Sequence, residues 1–250
     1  MKGKTLDTIY FGGGTPTALE AEELDAILTK IEETFDLSAV KEFTVEAGRP
    51  DSITEEKLRT LRAHGITRIS INPQTMKQAT LDLIGRRHTV EKVKEQFRLA
   101  RELGFDNINM DLIIGLPEED INDVRDTMEQ IRELAPDSVT VHSLAIKRAA
   151  RLNIFRERYA GLKIENTQEM IDLTASCARL MGLVPYYLYR QKNMTGNMEN
   201  VGYAKPGKEG IYNILIMEEM QTIVALGAGA ITKAVYPNGR IERCENVKDI

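Results

Sequence analysis

The chain has no tryptophan, two cysteines and three histidines among its 250 residues. Two cysteines, Cys177 and Cys244, cannot build a disulfide framework and show no metal-ligand spacing, which suits a reducing compartment and an expected cytoplasmic location. With no serine–histidine–aspartate arrangement in view, His64, His88 and His142 leave little for nucleophilic or base catalysis by the protein alone. No apolar run exceeds strand length and no basic-then-apolar segment opens the sequence, so neither a membrane span nor a signal peptide is expected. A dominant charge is lacking too. The 33 basic and 38 acidic residues leave a net charge of −5, without the basic footprint of a nucleic-acid partner.

What is present is alternation. Strand signals lie at Thr8 to Phe11, Glu42 to Ala47, Arg68 to Asn72, Asn107 to Ile114, Ser138 to Ser143 and Val184 to Tyr189. Between them, Leu24, Ile27, Leu28, Ile31 and Phe35 follow a helical stripe, as do Val124, Met128, Ile131 and Ala135. A repeat marks the helix ends: Arg62-Ala63-His64-Gly65-Ile66, Arg101-Glu102-Leu103-Gly104-Phe105 and Arg179-Leu180-Met181-Gly182-Leu183, with glycines 39 and then 78 residues apart. Glycine just past a helix supplies a left-handed cap, so the interval measures one helix–strand unit. The expected fold is α/β, a βα array of parallel strands. His64, in a helix-ending turn, is expected to be solvated, and His142 to face the interior.

Ligands of parallel βα folds sit at the carboxyl ends of the strands. Here the first strand runs into Gly12-Gly13-Gly14-Thr15-Pro16-Thr17, where residues without a Cβ let backbone N–H groups approach a ligand closely. The second ends in Glu46, the third in Asn72 and Gln74, the fourth carries Asp111 before Gly115-Leu116-Pro117, and the fifth closes on His142 and Ser143. Packing alone would not deliver polar residues to one rim from five strands. A shared pocket explains them, and chemistry beyond the reach of these side chains would come from a cofactor.

The ordered set Gly12 to Thr17, Glu46, Gln74, Gly85-Arg86-Arg87-His88-Thr89, Asp111 to Pro117 and Gly227 to Ile231 resembles the radical S-adenosylmethionine enzymes of the oxygen-independent coproporphyrinogen III oxidase family. The stretch Tyr189 to Tyr203 is similar to the HemZ branch of that family. The resemblance implies an α/β fold, a partial βα barrel with a small C-terminal α/β extension, binding S-adenosylmethionine with Gly13, Gly14 and Thr15 at its methionine end. Glu46, Gln74, Arg86, Asp111, Ala145 and Ile231 match further cofactor contacts. It also implies a [4Fe–4S] cluster on a three-cysteine loop preceding the glycines, which cleaves the cofactor to a radical. That loop is absent from this sequence, so the chain is expected to be an inactive fragment that binds no metal itself, with the first strand and cluster loop missing from a longer parent.

By the same resemblance, residues 1–183 form the barrel core and 184–250 the last barrel strand and the start of a family-specific region. The parent would take an electron donor and convert coproporphyrinogen III propionates to vinyl groups by oxidative decarboxylation, in haem biosynthesis. Arg148, Arg151 and Arg190 are available to pair with propionates, and Tyr186, Tyr187 and Tyr189 to pack on pyrrole rings. Two other readings stay open: a haem carrier of the same family, and a βα barrel that binds a phosphate-bearing ligand without radical chemistry.

Overall fold

The computed structural model describes residues 5–145, 161–189 and 199–248. The chain divides into two compact units, Met1–Glu209 and Gly210–Ile250. The division thus falls after Glu209, where the sequence suggested a boundary after Leu183.

In the first unit the order is β1 (Thr8–Phe11), α1 (Ala21–Thr34), β2 (Glu42–Gly48), α2 (Glu55–Ala63), β3 (Arg68–Ile71), α3 (Gln78–Leu83), α4 (Val90–Glu102), β4 (Ile108–Ile114), α5 (Ile121–Leu134), β5 (Ser138–Ser143), α6 (Gln168–Leu180), β6 (Val184–Tyr189) and β7 (Asn200–Ala204). Hydroxyl and carboxylate caps begin the helices: Thr54, Thr89 and Thr167 accept from backbone N–H groups three residues on, and Asp120 from Asn122 and Asp123. The glycine repeat ends three of them. Gly65, Gly104 and Gly182 adopt φ of 67°, 86° and 72°. The apolar residue after each donates its N–H five residues back, Ile66 to Leu61, Phe105 to Ala100 and Leu183 to Ala178, at 3.1, 3.0 and 2.9 Å. This closure needs a residue tolerant of positive φ and buries the apolar residue that follows, which is why the sequence repeats both.

The sheet order is β1-β2-β3-β4-β5-β7-β6, with β1 to β5 parallel. β7 departs from the expected all-parallel array, running antiparallel to both β5 and β6. Only ten residues separate Tyr189 from Asn200, fewer than the dozen or more a parallel crossover needs. The result is an open half-barrel, mixed at one edge.

Alternation along the strands divides its two faces. Phe43, Val45, Ala47, Ile69, Ile71, Ile108, Met110, Leu112, Val139 and Val141 point outward into one core shared with the helices. The alternate residues Tyr10, Thr44, Glu46, Arg68, Ser70, Asn109, Asp111, Thr140 and His142 line the inner face. Bonds between strands run across that face, from Arg68 Nη2 to Ser138 Oγ (3.1 Å) and from Thr140 Oγ1 to Asn109 Oδ1 (3.2 Å).

The second unit carries a short helix, α7 (Ile211–Met217), and a hairpin of β8 (Ile231–Val235) with β9 (Ile241–Glu245). No helix among the described residues is long and apolar enough to cross a membrane.

Candidate cofactor-binding site

Where β1 ends, the chain passes close beside Glu46. A Cβ at Gly12 would lie 2.5 Å from the Tyr10 ring and 2.8 Å from the Glu46 carboxylate carbon, so a larger residue would push this pair aside. Gly13 then turns through φ +89° and donates its N–H to Glu46 Oε2 at 3.2 Å. Around Gly13 and Gly14 nothing stands within 4 Å of a would-be Cβ, leaving this side of the loop open to a ligand. The far side is anchored: Thr17 donates its hydroxyl to the Ala47 carbonyl at 2.6 Å, and the buried Lys57 ammonium reaches the Thr17 carbonyl at 3.0 Å. Thr15 stands beside Gly48, the last residue of β2.

Tyr10 points inward from β1 and donates its hydroxyl to Glu46 Oε1. Burial pushes the Glu46 carboxyl above its ordinary value; the bonds from Tyr10 and Gly13 partly offset that, and the Asp111 charge adds to it. Burial, then Glu46, also pushes the Tyr10 phenol up, so it stays protonated and donating. Asp111 goes the other way. Burial raises its carboxyl, but His142, Asn109 and Arg68 together outweigh that and hold it below the usual carboxylate range. Asn109 Nδ2 donates to Asp111 Oδ1 at 2.7 Å, and His142 Nε2 stands 3.8 Å from Oδ2. Behind His142, Tyr189 Oη lies 3.2 Å from Nδ1, and the Tyr187 ring is parallel to that of Tyr189 at 6.1 Å.

Gln74 adopts φ 72°, unusual for a residue with a Cβ. Its backbone is held on both sides, its N–H donating to the Asp111 carbonyl at 3.0 Å and its carbonyl accepting from Ile113 at 2.8 Å. The next residue, Thr75, donates its hydroxyl to Glu119 Oε1 at 2.7 Å, a carboxylate that is itself buried. Arg86 is half-buried, and among the described residues its guanidinium has no hydrogen-bond partner. Burial and the like charge of Arg49 depress it, against the opposing Asp51, which Arg49 itself engages at 2.6 Å. His88, two residues on, reaches the Pro73 carbonyl at 3.3 Å and so ties this segment to the end of β3.

The structure therefore brings Gly13, Glu46, Gln74 and Asp111 to one rim at the carboxyl ends of the strands. Ala145 lies at the same end of β5, one residue beyond Leu144, whose N–H donates to Ile114 at 2.9 Å. Ile231 opens β8 in the second unit. Arg148, Arg151 and Arg190 lie outside the described residues. His142 faces the interior as expected, whereas the solvated turn expected for His64 is corrected. Its side chain is 9 % exposed and is held between Glu32 (2.8 Å) and Asp25 (3.0 Å) because it caps α2 against α1.

Residues missed from the strand ends alone include Tyr10 as the partner of Glu46 and Tyr189 as that of His142. Their signal was the polar alternation within each strand. The rim suits a zwitterionic ligand, with carboxylates for ammonium or hydroxyl groups and a guanidinium with free backbone space for a carboxylate. A metal cluster does not fit these residues. Cys177 lies on α6 and Cys244 on β9, and no group of three His, Cys, Asp or Glu side chains among the described residues could hold a metal.

The Radical SAM superfamily model matches residues 2–131. The chain is 49 % identical, over 97 % of its length and 49 % of the relative's, to the oxygen-independent coproporphyrinogen-III oxidase-like protein HemZ of Bacillus subtilis strain 168. It is 32 % identical, over 90 % of its length and 56 % of the relative's, to the heme chaperone HemW of Lactococcus lactis. Coproporphyrinogen III oxidase (HemN) from Escherichia coli has a similar fold, with a TM-score of 0.72 at 21 % identity, covering 99 % of this chain and 56 % of that one. The chain spans about half the length of the curated relatives it matches.

Proposed function

The chain belongs to the radical SAM superfamily, and from that premise we propose that it is the S-adenosylmethionine-binding half-barrel of an oxygen-independent coproporphyrinogen III oxidase-like enzyme. The observation carrying this reading is the convergence of Gly13, Glu46, Gln74 and Asp111 on one rim, with the unpartnered Arg86 in the segment tied to the same strand end. S-adenosylmethionine would supply the hydrogen-atom abstraction that begins oxidative decarboxylation of a propionate. The residues here bind and orient it. The open side of Gly13 and Gly14, with Thr15, receives its methionine end; Arg86 takes its carboxylate in a charge-assisted fork; Glu46 and Asp111 take its ammonium and ribose hydroxyls. Gln74 and Ala145 line the strand ends beside it. A [4Fe–4S] cluster would require thiolates other than Cys177 and Cys244, and turnover would require an electron donor.

Calorimetric titration of S-adenosylmethionine tests the binding half of this proposal. Glu46→Ala and Arg86→Ala should each weaken affinity by at least about tenfold, the equivalent of a lost charge-assisted hydrogen bond. Affinities equal to wild type would remove the assignment. The reaction half is tested on the full-length protein reconstituted with iron and sulfide, where vinyl product should form from coproporphyrinogen III.

The similarity to heme chaperones supports a second reading, a haem carrier of the same family. His142, with its side chain 25 % exposed, is the most accessible of the three imidazoles, and haem iron there would have to compete with Asp111 or Tyr189 for a ring nitrogen. Stoichiometric haem binding lost in His142→Ala, with no vinyl product from coproporphyrinogen, would favour the carrier.

A further inference from the structure

Between Glu46 on β2 and Asp111 on β4 stands the inward column of β3: Arg68, Ser70 and, just past the strand, Asn72. Asn72 follows the outward, buried Ile71, and its N–H donates to the Gly48 carbonyl at 2.8 Å, where the β2–β3 register shifts past the strand end. Each of the three carries a buried polar atom with no hydrogen-bond partner among the described residues: Arg68 Nε, Ser70 Oγ and Asn72 Oδ1. Ser70 is only 4 % exposed. Elsewhere on the inner face the polar groups find one another, as Asn109 does Asp111 and Tyr10 does Glu46. A buried carbonyl oxygen left unmet is costly, because it gives up water and receives nothing in exchange. Of these three in one column, Asn72 is the least buried and the one at the rim.

We propose that Asn72 is a contact residue of this site, its side-chain amide accepting a hydrogen bond from a donor group of S-adenosylmethionine lying between Glu46 and Asp111. This rests on the cofactor reading above. Ser70 lies one layer deeper and continues the same unmet column toward Arg68. The amide is short and neutral, so it selects for an uncharged or ammonium donor without adding a third carboxylate between two that already repel. It also leaves the free protein carrying a cost that ligand binding removes.

The test measures affinity and stability together. Asn72→Leu, close in volume and without polar atoms, should weaken S-adenosylmethionine binding about tenfold by calorimetry while leaving the ligand-free Tm unchanged or higher. Asn72→Ala serves as a second variant with the same expected signs should leucine distort the loop. Unchanged affinity in the Asn72 variants, with Glu46→Ala and Arg86→Ala weakened, overturns the inference and leaves the cofactor reading standing. Weakened binding in the Asn72 variants alone, with Glu46→Ala and Arg86→Ala equal to wild type, overturns the cofactor reading and this inference with it. A Tm several degrees lower in both Asn72 variants marks an amide the fold itself needs, and overturns the inference whatever the affinities.

Discussion

Glu46 and Asp111 share one ligand site, and their surroundings push their carboxyls in opposite directions. Asp111 has an amide, an imidazole and a guanidinium facing it and stays ionised well into acid. Glu46 is raised by burial and by Asp111 itself. On acidification Glu46 therefore takes up its proton first, losing its capacity to accept from an ammonium group while Asp111 keeps its charge. Affinity for S-adenosylmethionine should accordingly fall as pH drops through a range above that of an ordinary carboxylate. Glu46→Gln should start weaker and be flat over the same range. Calorimetry between about pH 5 and 8 checks this, and a Glu46→Gln curve parallel to wild type would contradict it. Neither shift could be read from the sequence. Each depends on what other strands bring around the carboxyl, burial and the Asp111 charge for Glu46 and His142 for Asp111, which come together only when the sheet forms.

Among the elements, α1 and α2 are joined by one imidazole. Burial lowers the His64 pKa, but Asp25 and Glu32 more than offset it and leave the ring above its ordinary value. Stability from such a group is fully present below the unfolded imidazole pKa of about 6.5 and is lost as pH rises through the higher folded value. The stability gap between wild type and His64→Gln should be widest near pH 6 and narrow toward pH 8.5, as thermal unfolding at each pH would report. At the other edge of the sheet, the Tyr187 ring on β6 lies flat against Gly202 on β7, where a Cβ would run into it. Gly202→Ala should destabilise by about 1–3 kcal/mol through overpacking, measured by urea unfolding. Strands, helix ends and caps were legible because each has a local signature: period-two alternation, hydroxyl caps, and glycine followed by an apolar residue. β7 was not. Its five residues, Asn-Val-Gly-Tyr-Ala, place a glycine mid-strand, and that glycine makes sense only beside the aromatic ring that covers it.

At the scale of the molecule, the shared apolar core runs from Leu28 to Tyr203, wholly within the first unit. Residues 1–209 should therefore fold without the remainder, with a far-UV spectrum of mixed α/β type and a Tm within a few degrees of the whole chain. Loss of cooperative unfolding in that shortened chain would show that the second unit supplies part of the core. The half-barrel was legible from alternating elements of helix and strand period, and its ligand end from polar residues at successive strand termini. What stayed hidden was the interior, because a polar residue alternating with an apolar one reads equally as a solvated face. The separation of faces has a consequence for mutability. The outward side chains hold the sheet to its helices, while inward positions such as Ser70, Asn109 and Thr140 contribute little to that adhesion. Asn109 is nonetheless bonded to Asp111 and Thr140 to Asn109, and both resist change, whereas the Ser70 hydroxyl holds nothing among the described residues, so that one scaffold could be retuned to new guests at that single position of its lining.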